Sequence, residues 1–464
     1  MMTDYIASSF ISSAFNIVHL HGLEEVSYKE DELVVVCLVR NGRPYVRSFV
    51  EHYFSLGVKH IVFLDNGSTD GTVSAVTRYD NVTVLRTELP FKAFKGEGQT
   101  LMRKYLIERF GKGRWSLCVD MDELFDYPYS DVIGLDSLLD YLNSKSYTAV
   151  TAHMLDMFAE RPVLSEQPGE SDEPLKEVHR FYDISRLRKV RRGKDHDIVR
   201  NNTFESDEIS LGFQGGIRDN VFGFKPWLTK YPLVFSDGSV KPSPPHKIYN
   251  AKIADLTCVL FHYKFLKHFR EQATRAAREK RYWKNSIRYK RYLEVLQRNP
   301  SLQLKQEASQ EITSVNDLLE DRFLVVSDDY VSWVNAEEEK SVLQSSQGEP
   351  RGLADAFLES RRQGRARILR VGRLEQQLRE ARRQQKAKTQ RIGRLEQQLC
   401  DRDKKIQRTK GKLQRLTQRN QRLTEQVRRR VRELDSIRAS RAWKLVEALR
   451  RLKISVHGLR RRLS

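Results

Sequence analysis

Cysteine is scarce. The 464 residues hold four, Cys37, Cys118, Cys258 and Cys400, far apart and without a Cys-x-x-Cys pair. That spacing excludes a disulfide-stapled scaffold and a cysteine-based zinc site. The first three lie in apolar, strand-like contexts and read as buried reduced thiols, which fits a reducing cytoplasm. Long apolar runs are also missing. No uninterrupted run reaches the roughly 18 residues of a membrane span. The opening MMTDYIASSFISSAF lacks the positive segment of a secretory signal. The chain reads as cytoplasmic, with peripheral attachment at the inner face of the membrane as its route to lipid.

Acidic residues are depleted in one region only. From Arg351 to Ser464 there are 36 Lys+Arg against 11 Asp+Glu, a net +25, while residues 1–350 carry 46 and 50, a net −4. The basic character belongs to the tail, so a specific nucleic-acid partner is not expected for the protein as a whole.

Residues 1–30 read as an N-terminal extension. ELVVVCLVRNG is an apolar strand ending in polar residues. In RPYVRSFVEHYFSLGV, Tyr45, Phe49, His52, Tyr53 and Leu56 recur at helical spacing, with Gly57 as the stop. HIVFLDNGSTDGT is a second buried strand breaking into a polar loop, VTVLRTE a third, GEGQTLMRKYLIERFGKG a helix, and WSLCVDMDELF a fourth strand. This alternation predicts an α/β domain over residues 31–300, with a mostly parallel, Rossmann-like sheet and helices on both faces. Ligands of such sheets bind beyond the carboxyl ends of the strands. Arg40-Asn41, Asp65 to Asp70 and Asp120 to Glu123 fall there. Further on, adjacent glycines before Arg218 predict a tight turn, and a strand ending near His262 precedes a long helix to about Gln297.

Residues 301–365 are rich in acidic, Ser and Gln residues and read as a linker. From Val371 a heptad runs to Ile437, and GRLEQQL occurs at Gly372 and again at Gly393, three heptads later. The repeat preserves the phase, which predicts a coiled coil over 366–437 and offers a route to homo-oligomers. In 438–464, Ala442, Leu445, Leu449, Leu452, Val456, Leu459 and Leu463 recur at 3–4 spacing among Lys and Arg. This is the pattern of a basic amphipathic helix at an anionic membrane surface.

Asp120-Met121-Asp122 at a strand end can hold a divalent cation; hard carboxylate oxygens suit Mg²⁺ or Mn²⁺. A second Asp-x-Asp, Asp195-His196-Asp197, follows no apolar strand and reads as a solvated loop. Asp65 opens a Gly/Ser/Asp loop suited to hydrogen-bonding a nucleobase or ribose, or to capping its own strand.

Together, VVVCLVRNG, YVRSFVEHYFSLGVKHIVFLDNGSTDGT and WSLCVDMDELFDYP resemble bacterial family 2 glycosyltransferases of the GT-A fold, over about residues 32–300. The resemblance implies a nucleotide-sugar donor, a divalent metal and inversion at the anomeric carbon. It implies donor contacts from Arg40, Asn41, Asp65, Asn66, Lys95, Gln99, Arg103 and Asp120, and from Arg218 to a diphosphate. Asp120 and Asp122 would be metal ligands, with His246 or His262 as a third. Asp156, in HMLDMF, is the candidate acceptor base. There are departures: Asp65-Asn66 stands where many relatives have Asp-Asp, and Leu124 intervenes before Phe125. The Gln-x-x-Arg-Trp of processive synthases is missing, which predicts single transfers. The ending SRAWKL is similar to tails that follow coiled coils in surface-polysaccharide transferases.

The expected activity is therefore transfer of a sugar to a cell-surface polysaccharide or glycolipid precursor, with a glycan or lipid-linked acceptor. Two other readings fit parts of the sequence. One is an inactive GT-A-like scaffold whose basic coil binds anionic lipid or nucleic acid. The other is a nucleotidyltransferase, for which VRNGRPYV is a poor match to the required Gly-rich basic loop.

Overall fold

The computed structural model describes residues 15–90, 93, 97–164, 174–191, 201–279, 283–345 and 351–460. The strands, in chain order, are β1 (Val18–His21), β2 (Val34–Val39), β3 (His60–Asp65), β4 (Val82–Arg86), β5 (Trp115–Val119), β6 (Glu123–Asp126), β7 (Ala149–Asp156), β8 (Phe181–Tyr182), β9 (Leu187–Arg191), β10 (Thr203–Phe204), β11 (Leu211–Gly215), β12 (Thr229–Phe235), β13 (Lys241–Ser243), β14 (Lys247–Tyr249), β15 (Lys252–His262) and β16 (Gln310–Glu311). The main sheet runs β1-β4-β3-β2-β5-β12-β7-β15-β10, with β6 added alongside β15.

Strands β4, β3, β2 and β5 are parallel neighbours, as their continuous apolar sequences require. The order reverses between β2 and β5: the chain moves outward from β2 to β3 and β4, then returns to β5 on the other side. The crevice at such a reversal is where open α/β sheets bind ligands. Beyond β5 the sheet is mixed. β12 is antiparallel to both β5 and β7, while β7 and β15 are parallel.

Alternation along β2 sends side chains to two faces. Val35, Cys37 and Val39 pack with Phe49, Val50 and Tyr53 of the helix Val46–Ser55. Val34, Val36 and Leu38 pack with Met102, Tyr105 and Leu106 of the helix Gly98–Phe110. Helices therefore cover both faces, as expected. Gly57 ends the first helix with φ +97°. Cys37, Cys118 and Cys258 are buried and unpaired, and Cys400 is exposed.

Four segments differ from the sequence reading. WSLCVDMDELF is two strands: β5 stops at Val119, the chain turns, and β6 leaves to pair antiparallel with β15. Part of the expected leader is structured: β1 pairs with β4, and the Tyr28 hydroxyl donates to Phe110 O (2.7 Å). The helix expected after His262 is two helices, Phe269–Glu279 and Trp283–Arg298. The expected linker is packed structure. Val315, Leu318, Leu319, Phe323, Leu324, Tyr330, Val331 and Val334 are buried in the main core, and a helix spans Asp328–Ser345. Polar residues outnumber apolar ones over 301–365, but these eight apolar side chains turn inward, while Leu343 stays 60% exposed. Each such burial contributes about 1.5–3 kcal/mol, enough to hold a polar segment in place.

The chain divides into two units, Met1–Arg373 and Leu374–Ser464. One helix runs continuously over Arg351–Ala439, and a second spans Arg441–Arg460. Among the described residues no helix is long and apolar enough to cross a membrane.

Candidate cation and ligand site

At the carboxyl edge of the sheet the first wall is a laced loop. Asn41 takes φ +54°, its N–H donates to Ser68 Oγ (2.8 Å), and its Oδ1 accepts from the Thr69 amide (2.8 Å). Arg40 donates to the Asn66 carbonyl. Asp65 accepts from the amides of Gly67 (3.1 Å) and Ser68 (3.1 and 3.2 Å). Asn66 donates through Nδ2 to the Thr87 (3.2 Å) and Leu89 (2.8 Å) carbonyls. Asp65 and Asn66 are both buried, and the Asp65 side chain has no exposed surface. These two residues build the loop, and its surface is formed by Arg40, Asn41, Gly67, Ser68, Thr69 and Asp70, with Thr69 the exposed one.

The second wall is the turn after β5. The Glu123 amide donates to Asp120 O (3.0 Å), and the Asp120 amide to Glu123 Oε2 (3.2 Å). The Tyr53 hydroxyl reaches up from the helix beneath to Glu123 O (3.0 Å) and accepts from Phe125 N (3.0 Å). Asp120 faces two cations. Arg103 donates to Oδ1 (2.5 Å) and Lys230 Nζ to Oδ2 (2.9 Å). Lys230 also donates to Glu123 Oε1. Burial favours a neutral Asp120, but Arg103 and Lys230 outweigh it and hold the carboxyl far below its ordinary range. Burial raises Glu123, with Lys230 opposing.

Lys230 is the residue the sequence reading did not single out. It lies in TKYPLVF, a strand otherwise apolar after its first two residues. β12 runs antiparallel to β5 and β7, so its beginning arrives at the edge where theirs end. A lone Lys entering an apolar strand was the available signal.

The third wall joins three strands. In register, His262 of β15 stands between Glu123 of β6 and Asp156 of β7. His262 Nδ1 donates to Asp156 Oδ1 (2.5 Å), and Nε2 lies 3.2 Å from Asp122 Oδ2. Arg218 Nε donates to the other Asp156 oxygen (2.7 Å). Gly215 and Gly216 take φ +99° and +69°, the predicted tight turn, and start the short helix Ile217–Phe222 that carries Arg218. Burial would lower His262, but Asp122 and Asp156 outweigh it and raise its pKa. Burial would raise Asp156, but Arg218 and then His262 bring it down to about 2. Asp122 is lowered despite burial, chiefly by His262.

Asp122, Glu123 and His262 each place a ligand atom within 4.8 Å of the others. The donor set fits a divalent cation. Two carboxylates supply charge, and the imidazole has its far nitrogen fixed by a carboxylate, the usual support for a ligating histidine. Asp122 keeps 21% of its side chain open to solvent, which gives an ion its way in.

The sequence-predicted set is thus redistributed. Asp122 and His262 come together, joined by Glu123. Asp120 faces Arg103 and Lys230 and stands outside that group. His246 also stands outside it; its Nδ1 donates to Thr229 O (3.0 Å), and burial pushes its pKa down to about 4. Asp156 is committed to Arg218 and His262, and Arg218 to Asp156 and the Met154 sulfur (3.3 Å). Gln99 sits half-buried at the start of the helix Gly98–Phe110. Lys95 and the second Asp-x-Asp at 195–197 lie outside the described residues.

Fold and site together define a mixed α/β domain with a largely parallel central sheet and a group able to bind a metal ion at its carboxyl edge. No family model matches the chain, and no curated protein matches it. Among solved structures it is similar to a nucleotidyl transferase from Methanothermobacter thermautotroptrophicus, with 12% sequence identity and a TM-score of 0.17. That match covers 28% of this chain and 63% of the other, so the chain spans less than two thirds of that protein's length.

Proposed function

We propose that the protein is a metal-dependent glycosyltransferase of GT-A type. It moves a sugar from a nucleotide-sugar donor to a glycan or lipid-linked acceptor in single transfers. The observation that carries this reading is the position of the Asp122–Glu123–His262 group. It lies at the carboxyl edge of a sheet whose strand order reverses beside it, next to a polar loop suited to a nucleoside. The sequence resemblance to family 2 enzymes points the same way.

Asp122, Glu123 and His262 would hold the ion. An imidazole among the ligands favours Mn²⁺ over Mg²⁺, which prefers oxygen. When bound, the ion offsets charge developing on a diphosphate leaving group. The chain's own residues divide the remaining work. Asp156 orients His262 through Nδ1 and keeps Nε2 turned to the ion; this role replaces that of acceptor base, because Arg218 and His262 hold its pKa down to about 2 and leave it a weak base. Arg218 holds Asp156 in place. Arg103 and Lys230 neutralise Asp120 and Glu123, so a polyanionic donor approaches an edge whose carboxylates are matched by fixed cations. Arg40, Asn41 and the Ser68 loop offer a surface for the nucleoside.

Purified protein incubated with a panel of nucleotide sugars and Mn²⁺ should release nucleoside diphosphate from at least one, and Asp122→Ala should abolish that release while remaining folded. No release from any donor, with or without acceptor extracts, would sink the proposal.

A further inference from the structure

We infer that the helical segment from Arg370 to Arg438 pairs with a second copy of this chain as a parallel, in-register, two-stranded coiled coil. The helix is continuous over Arg351–Ala439. Its large apolar heptad side chains are laid open: Val371 is 45% exposed, Leu374 56%, Leu413 65%, and Ile392, Leu395, Leu399, Ile406, Leu416, Leu423, Val427, Leu434 and Ile437 are exposed as well. A stripe of that length leaves a large apolar area in water unless another helix covers it.

The repeated segments say which helix. Both Arg370–Leu378 and Arg391–Leu399 set a β-branched residue at position a, Val371 and Ile392, and leucine at d, Leu374 and Leu395. That combination favours two parallel strands. Both also set Arg at g and Glu at the following e position. In a parallel pair, Arg370 meets the other copy's Glu375, and Arg391 its Glu396. Farther along, Glu433 meets the other copy's Arg438. Glu433 also contacts Arg429 and Arg430 within its own helix, and Glu375 has an interaction within its own chain, so these two pairs are shared. One g–e pair, Lys405 with Lys410, is repulsive. Favourable pairs outnumber it, and each acts twice across the seam.

Register follows from the polar core positions. Gln385, Lys388, Arg402, Thr409, Asn420 and Arg430 interrupt the apolar sequence. In-register parallel pairing stacks each apolar residue on its own copy and each polar one on its own copy. An antiparallel pairing that overlaps the same span sets Leu378 against Arg430 and Leu423 against Gln385. Asn420 at an a position bonds its twin and fixes register. The number of strands follows from the same residues. In a pair, the stems of Lys388, Arg402 and Arg430 lie along the seam with their heads in water; a third helix would enclose those charges.

The test uses the full-length protein. Light scattering after gel filtration should give twice the chain mass at micromolar concentration. Raising salt should tighten the pair, because it screens repulsion between two tails of net +25. Asn420→Cys in a Cys400→Ser background should form an interchain disulfide in glutathione buffer, since a cross-link requires Cα atoms closer than about 7 Å. Lys388→Cys mixed with Asn420→Cys should give self-linked dimers and no mixed ones. Leu395→Glu with Leu416→Glu should weaken dimerisation at least about a hundredfold and leave the circular dichroism of the sheet domain unchanged. A monomeric or trimeric mass, mixed disulfides in place of self-linked ones, or an unaltered dimer in the double variant would each overturn the inference.

Discussion

The Asp156 carboxylate bridges His262 Nδ1 at 2.5 Å and Arg218 Nε at 2.7 Å. Two strands and a short helix thus meet on one buried anion, and its position decides where the other imidazole nitrogen points. Asp156→Asn removes the negative charge that fixes the tautomer. Mn²⁺ affinity, read by titration calorimetry or by loss of the free-ion paramagnetic signal, should fall about 10–100-fold. Protons compete with the ion for His262, so affinity should climb as pH rises through the His262 titration, and the Asn variant should move that midpoint to lower pH. An unmoved midpoint would restrict Asp156 to a packing role.

Lys230→Met should destabilise the fold by about 3 kcal/mol, because it leaves Asp120 and Glu123 without their shared buried cation. Mn²⁺ should then raise the melting temperature of the variant more than that of the wild type, since an ion can take over the neutralisation. Equal shifts in the two proteins would argue that Lys230 does nothing for the ion site.

Stability should decline as pH falls from about 6.5 toward 4. Burial holds His52 at about 3 and His60 at about 4, so both are neutral in the fold and take up protons on unfolding. Groups with depressed histidine pKa values contribute stability that is complete above the unfolded value and is lost below it. His262 has the opposite sign: its raised pKa contributes below about 6.5, and that contribution disappears as pH rises through the folded value. Urea midpoints across pH 4 to 8 read both trends, and His52→Gln should flatten the acid limb.

Leu324→Ala should cost about 2–5 kcal/mol, although its neighbourhood reads as linker. Leu324 is fully buried, with its amide on Leu318 O (2.9 Å). A change below about 0.5 kcal/mol would mean that the segment after residue 300 is dispensable for the core.

Local signals in the sequence were strong where one short run carries its own explanation. The strand VVVCLV and the IVFL of β3 are apolar throughout because both sheet faces are covered, and Gly57 is needed where φ is positive. The phase-preserving GRLEQQL repeat likewise predicts a long helix, and a helix is found. Such signals failed where partners come from afar. Nothing beside Asp120 in the chain indicates that Arg103 and Lys230 will take both its oxygens, and the apolar residues of 315–334 are irregularly spaced among acidic and Ser neighbours, so nothing local says that they share the main core.

The sequence by itself determined the α/β alternation, the placing of carboxylates at strand ends and the heptad of the tail. Each depends on periodicity or on residues within one or two turns of one another. Tertiary structure alone decided which charges meet. β6 leaves β5 to pair with β15, β15 lies beside β7, and β12 enters antiparallel with Lys230 at its head. That strand order brings Glu123, His262 and Asp156 into one row and turns Asp120 toward cations. In a low-dielectric edge the interaction of two charges depends on distance and burial far more than on chain separation, and both quantities come into being only when the sheet closes.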